Sequence, residues 1–144
     1  MSHTNVESDI SWANLKIGQQ VTISETVKLG QLEKFSELSG DRNPLHLDQK
    51  YARSRGFQAP VMQGMLLTSF FSALVGNHVP GKHGMFVSLN VDFKKPVLAG
   101  ETVTISMTVT EKRESTRTAV LDMVVSNVKK EVAVKGQALV KYFS

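Results

Sequence analysis

The sequence contains no cysteine. That excludes a disulfide framework, a thiol nucleophile and a thiolate metal site. It is compatible with a reducing compartment, and a cytoplasmic location is expected. Aromatic residues make up only 7%, with one Trp and two Tyr, so no strand carries the row of rings that stacks bases. Long hydrophobic runs are also missing. The longest mostly apolar stretch, Val61 to Val75, is interrupted by Gln63, Gly64, Thr68, Ser69 and Ser72 and is too short to span a bilayer. The opening residues, MSHTNVESDISW, lack the basic start and apolar stretch of a signal peptide. No membrane association is expected. Two catalytic spacings are absent as well: there is no HxxxH or HExxH for a metal and no GxSxG elbow for a serine nucleophile.

The formal net charge is +4. A positive surplus serves either solubility or an anionic ligand such as nucleic acid or a phosphorylated cofactor. The basic residues come in small pairs, Lys94-Lys95, Lys112-Arg113 and Lys129-Lys130, not in one cluster. With so few aromatics, nucleic acid is not the expected partner.

What is present is alternation. The length of 144 residues fits one domain, residues 1–144, large enough to bury a core. Four segments in the second half repeat with period two, as half-buried strands do. Val87, Leu89, Val91 and Phe93 form one inward set, and Val103, Ile105, Met107 and Val109 a second. Ala119, Leu121, Met123 and Val125 form a third, and Val132, Val134, Ala138 and Val140 a fourth. The short links KKPVLAGE, KRES and NVKKE favour an antiparallel meander. In the first half QVTISETV reads as a strand. LGQLEKFSELSG reads as a helix, with Leu29, Leu32, Phe35 and Leu38 inward and Gly40 at its end. The stretch APVMQGMLLTSFFSALVGNHVPG then reads as a buried helix with Pro60 near its start, apolar on nearly every side. The expected class is α+β: an antiparallel sheet wrapped around a long central helix, with a short helical overhang before it.

Two features of this pattern need an explanation. Gly64, Thr68, Ser72 and Gly76 recur every four residues on the central helix. Such a stripe either packs closely against a neighbour or borders a ligand. The loop SGDRNPLHLD, Ser39 to Asp48, crowds Asp41, Asn43, Pro44, His46 and Asp48 together. Asp, Asn and Pro make a good turn on their own. Pro44 also stiffens the loop and holds Asn43 extended, and His46 lies just past the bend, where an Asp–His pair can converge. Such a pair can hold a water, remove its proton and return one. Asp41, His46 and Asp48 as metal ligands are the rival use; the remaining histidines lie too far along the chain to make a site obvious, and no metal is expected.

At these residues the sequence resembles a known family. GDRNPLHLD carries the D-x-N-P-x-H signature of the (R)-specific enoyl-CoA hydratases, the MaoC-like or hydratase 2 group. The likeness continues through LKIGQQ, APVMQGMLLTSFFSALVG and VDFKKPVLAGETV, nearly the whole chain. The resemblance implies a hot-dog fold and a homodimer. It implies that Asp41, the principal base, and His46, its partner, grip the water that adds to a trans-2-enoyl thioester, giving the (R)-3-hydroxyacyl-CoA reversibly. The same chemistry serves fatty-acid breakdown and synthesis and the supply of polyhydroxyalkanoate monomers. The backbone N–H of Gly64 would be the main oxyanion donor, and Ser72 would line the pocket. Asn43, also in the motif, would stiffen the loop. Coenzyme A enters as part of the substrate, and no cofactor is implied. One position departs from the pattern: many relatives carry V-H-G-M, where this chain has MQGM with Gln63. A hot-dog thioesterase and a non-catalytic acyl-CoA binding module are the alternatives. Release of free thiol from acyl-CoA would mark the first, and lack of any turnover the second.

Overall fold

The computed structural model describes residues 2–3 and 7–144. Residues 1 and 4–6 fall outside the described residues, and with them part of the opening stretch read above for a leader. The strands are β1 (Ser2–His3), β2 (Gln20–Thr26), β3 (Gly84–Phe93), β4 (Thr102–Arg113), β5 (Thr118–Asn127) and β6 (Val132–Tyr142). The helices are α1 (Leu29–Ser39), α2 (Pro44–Leu47), α3 (Gln49–Ser54) and α4 (Gly64–Asn77). Every strand pairing is antiparallel, in the order β1-β2-β4-β5-β6-β3.

That order corrects the simple meander. Strands β4, β5 and β6 do follow one another through short turns. β3 does not pair with its successor β4; it crosses to the far side of β6, and β2 takes the place beside β4. The link from Lys94 to Glu101 leaves the sheet to run along residues 60–62, through bonds from the Met62 N–H to the Val97 carbonyl and from the Ala99 N–H to the Pro60 carbonyl. It can therefore reach the opposite edge.

The alternation holds where the ladders are regular. Val103, Ile105, Met107, Val109, Ala119, Leu121, Met123 and Val125 are all buried in one core. It slips at two of the three irregularities in the ladders. A bulge between Phe86 and Ser88 turns Val87 to solvent and brings Phe86 against the core. Another, opposite Val125 and Ser126, buries Ala133 in place of Val132. One extra residue on a strand flips the facing of every residue beyond it.

The helices show the same mixture. In α1, Leu32 and Ser36 are buried and Phe35 packs against the core, while Leu29 and Leu38 are exposed. The inward arc is thus narrower than the four-residue set expected. Gly40 ends α1 in the left-handed region at φ 81°, where a side chain would be strained. The central helix α4 begins at Gly64, four residues after Pro60, because Val61 is held in a β-bridge with Leu98. Its Leu66, Leu67, Phe70, Phe71, Leu74 and Val75 enter the same core as the inner face of the sheet. Each such side chain is worth about 1.5–3 kcal/mol of burial. Met65, Ser69, Ser72 and Gly76 lie on the helix face left uncovered. Among the described residues, no helix is long and apolar enough to cross a membrane.

Candidate active site

The loop between α1 and α2 is built by local side-chain bonds. Asp41 Oδ1 accepts from the Asn43 N–H at 3.1 Å, and Asn43 Oδ1 accepts from the Leu45 N–H at 3.0 Å. Asn43 thereby caps α2, with Pro44 at its first position, where a missing N–H costs nothing. Asp48 caps α3 by accepting from the Tyr51 N–H at 3.1 Å. The buried Ser36 donates its hydroxyl to the Asp41 carbonyl, tying the loop back to α1.

This frame brings Asp41 and His46 together. Asp41 Oδ2 lies 3.7 Å from His46 Nε2, with the Asp side chain 42% exposed and the His side chain 13% exposed. The other ring nitrogen, Nδ1, is 2.6 Å from the Val61 carbonyl oxygen. A carbonyl only accepts, so Nδ1 carries a proton and donates it. In the neutral ring Nε2 is then the open lone pair, facing the carboxylate. At 3.7 Å the two groups are too far apart for a good direct hydrogen bond and near enough to share one small molecule.

Val61 also ties the loop to the central helix. Its N–H donates to the Leu45 carbonyl at 3.0 Å, and three residues later α4 begins. The first bond of the helical ladder runs from the Leu67 N–H to the Gln63 carbonyl at 3.1 Å. The amides of Gly64, Met65 and Leu66 precede it, as the first N–H groups of a helix do, at the positive end of the helix dipole. Gln63 is only 2% exposed and donates from Nε2 to the Leu32 carbonyl at 3.0 Å, stapling the start of α4 to α1, while its Oε1 is buried without a protein partner.

Of the residues singled out from sequence, Asp41, Asn43 and His46 come together, and Gly64 opens the helix joined to them through Val61. Ser72 lies eight residues further on, about 12 Å along the axis, on the exposed face. Of the stripe, Thr68 is buried and bonds the Met65 carbonyl at 2.8 Å, while Gly76 is exposed with open space where a Cβ would be. Among the described residues, no group of three or more His, Asp or Glu side chains gathers as metal ligands. Sequence reasoning missed Val61, whose contribution is a backbone carbonyl and leaves no mark on side-chain identity. It also missed Ser36, which reads as an ordinary helix polar residue. Lys94 and Lys95 follow β3. Lys95 is ion-paired with Glu131, and Lys94 borders a cleft with Phe93 and Val97.

With this geometry in view, residues 13–133 match the MaoC like domain. The chain belongs to the MaoC-like family. This MaoC-like chain is 37% identical over 132 residues to the (R)-specific enoyl-CoA hydratase of Aeromonas caviae, covering 92% of this chain and 98% of the relative. It is 30% identical over 128 residues to the 3-hydroxybutyryl-CoA dehydratase of Methylorubrum extorquens, covering 89% and 81%. In three dimensions it is similar to an R-hydratase of Pseudomonas aeruginosa, with a TM-score of 0.89 and 28% identity over 94% of this chain and 86% of the other. The hot-dog fold implied by the resemblance is therefore the fold of this MaoC-like chain, and these relatives are named for adding or removing water.

Proposed function

We propose that the chain catalyses the reversible (R)-specific hydration of trans-2-enoyl-CoA to (R)-3-hydroxyacyl-CoA, with Asp41 and His46 activating the water. The observation that carries this reading is the fixed geometry of the pair: Nδ1 engaged by Val61, Nε2 facing Asp41 Oδ2 at 3.7 Å. A water between them gives one hydrogen to the carboxylate and one to the ring nitrogen, which leaves an oxygen lone pair for the substrate. The oxygen bonds to the β-carbon, the C=C π bond breaks, and its electrons move to the thioester oxygen. Asp41 takes the proton, and the pair returns one to the α-carbon. The negative charge passes in between to an oxygen held by the Gly64 N–H, a donor already in place at a helix N-terminus.

The rest of the reading comes from surfaces. Among the described residues β3 is bonded to β6 along one edge only, and Met85 and Val87 on it are exposed. An open apolar edge favours pairing with a second sheet, and a homodimer joined there is part of the proposal, as is a cytoplasmic location. The carrier is coenzyme A, brought in with the substrate. Lys94 and Lys95 both line the cleft, and Lys94 is the one proposed to meet the phosphates, since Lys95 is engaged by Glu131. Crotonyl-CoA tests the reaction type. Loss of the enoyl absorbance without free thiol supports hydration. Thiol release points to a thioesterase, and binding without either change points to a carrier module.

A further inference from the structure

An ideal Cβ built on Gly64 would lie 2.8 Å from Cε1 and 2.9 Å from Cζ of Phe93. The space that glycine leaves open is therefore filled by the edge of that ring and not left clear for a ligand. Yet Phe93 remains 55% exposed, the last residue of an edge strand. A large ring seated on a helix start and still half in water has one face to offer. That ring lines a cleft of about 270 Å³ together with Val61, Met62, Pro96, Lys94 and Lys95. Val61 is the residue whose carbonyl holds the His46 ring, so the cleft and the Asp–His pair share a wall.

We infer that Phe93 is a substrate-positioning residue, the wall against which the thioester and the adjoining pantetheine arm lie while the carbonyl meets the Gly64 N–H. The inference rests on the proposed thioester chemistry of the site. Two features favour the arm over the acyl chain as the occupant. Phe93, Lys94, Lys95 and Pro96 on the cleft lining are exposed, so an occupant reaches solvent along them, as a carrier arm has to. The next residue is Lys94, a cation placed for the phosphate end. Gly64 then contributes twice, since its N–H serves the oxygen and its missing side chain seats the ring.

Calorimetry with butyryl-pantetheine, which has the arm but neither the nucleotide nor a reactive double bond, reads this role separately from catalysis. Phe93→Ala is expected to weaken binding roughly tenfold, the scale for truncating an aromatic contact. It should raise KM for crotonyl-CoA by a similar factor and leave kcat nearly unchanged, because the contact is present in ground and transition states alike. Phe93→Leu should keep most of the affinity. Gly64→Ala should push the ring into the arm's path and weaken binding, and adding Phe93→Ala to it should cost less than the same change alone, since the two residues touch. Unchanged butyryl-pantetheine affinity in a folded Phe93→Ala variant would overturn the assignment. So would a change in acyl chain-length preference without loss of arm binding, or dissociation of the assembly in sedimentation, which would make Phe93 a subunit contact. A wild-type protein that binds butyryl-pantetheine through Phe93 but does not hydrate crotonyl-CoA would refute the proposed reaction and leave this inference standing.

Discussion

His46 and Val61 are joined by a 2.6 Å contact from ring Nδ1 to backbone carbonyl, fifteen residues apart in sequence. The contact settles which nitrogen of the imidazole faces Asp41. It also links the stiff α1–α2 loop to the strip that leads into α4, so that the Asp41–His46 pair and the first amides of the helix are positioned by one short stretch of backbone.

Replacing Asp41 should therefore cost turnover and little stability, since it is well exposed, while replacing His46 also gives up the part-buried tie to the Val61 carbonyl. Asp41→Asn and His46→Gln are each expected to lower kcat with crotonyl-CoA by at least ~10²-fold, the scale for losing a positioned acid or base. Steady-state kinetics on folded variants checks this, and near wild-type turnover in one of them would remove that residue from the mechanism.

Gln63 has a different expected phenotype. Its amide N–H is the buried tie between α4 and the Leu32 carbonyl. Gln63→Leu removes this bond while the carbonyl keeps its place in the α1 ladder, at a cost of about 0.5–1.5 kcal/mol. Urea denaturation should show a lower midpoint with an unchanged slope. A variant as stable as wild type would mean that the tie is not formed in solution.

Much of this frame is legible in the sequence, and the exceptions have physical causes. Val103 to Val109 and Ala119 to Val125 read correctly because regular ladders preserve period two. Val87 and Val132 read wrongly because bulges are decided by the neighbouring strand, not by the residue's own polarity. Leu38 looks inward by spacing alone, yet α1 lies at the margin of the core and covers only the arc from Leu32 to Ser36. Within the site, Asp41, Asn43 and His46 are visible because turn chemistry fixes their meeting locally. The Val61 carbonyl and the seat of Phe93 on Gly64 are not, because both depend on the path of β3 and the 94–101 link across the fold.

Tyr142 gives a pH signature unrelated to the site. It is 2% exposed, donates its hydroxyl to the Ile10 carbonyl at 2.9 Å, and burial pushes its pKa from 10.0 up to about 12. A phenol that holds its proton more tightly when folded contributes stability below its unfolded pKa, and that contribution is lost as pH rises through the folded value. Stability should therefore fall between pH 10 and about 12. Tyr142→Phe should be less stable at neutral pH and show a shallower fall in that window. Denaturant titrations at several pH values check this; parallel curves for the two proteins would contradict it.

The homodimer and the electrostatic capture of the carrier make a joint expectation. Sedimentation at micromolar concentration should give a dimer, and a charge placed at Val87 on the open edge should weaken it. Added salt and Lys94→Ala should each raise KM for the CoA substrate with kcat nearly constant, because phosphate contacts are remote from the reacting carbon. A fully active monomer would remove the edge-paired dimer, and a salt-independent KM would remove the electrostatic argument.

The central claim is that Asp41 and His46 deliver water to one face of an enoyl thioester. Chiral analysis of the 3-hydroxybutyryl-CoA formed from crotonyl-CoA tests it most directly, with Asp41→Asn run in parallel. The wild type should give the (R) product and the variant almost none. An (S) or racemic product, or an (R) product formed equally well without the Asp41 carboxylate, would contradict it.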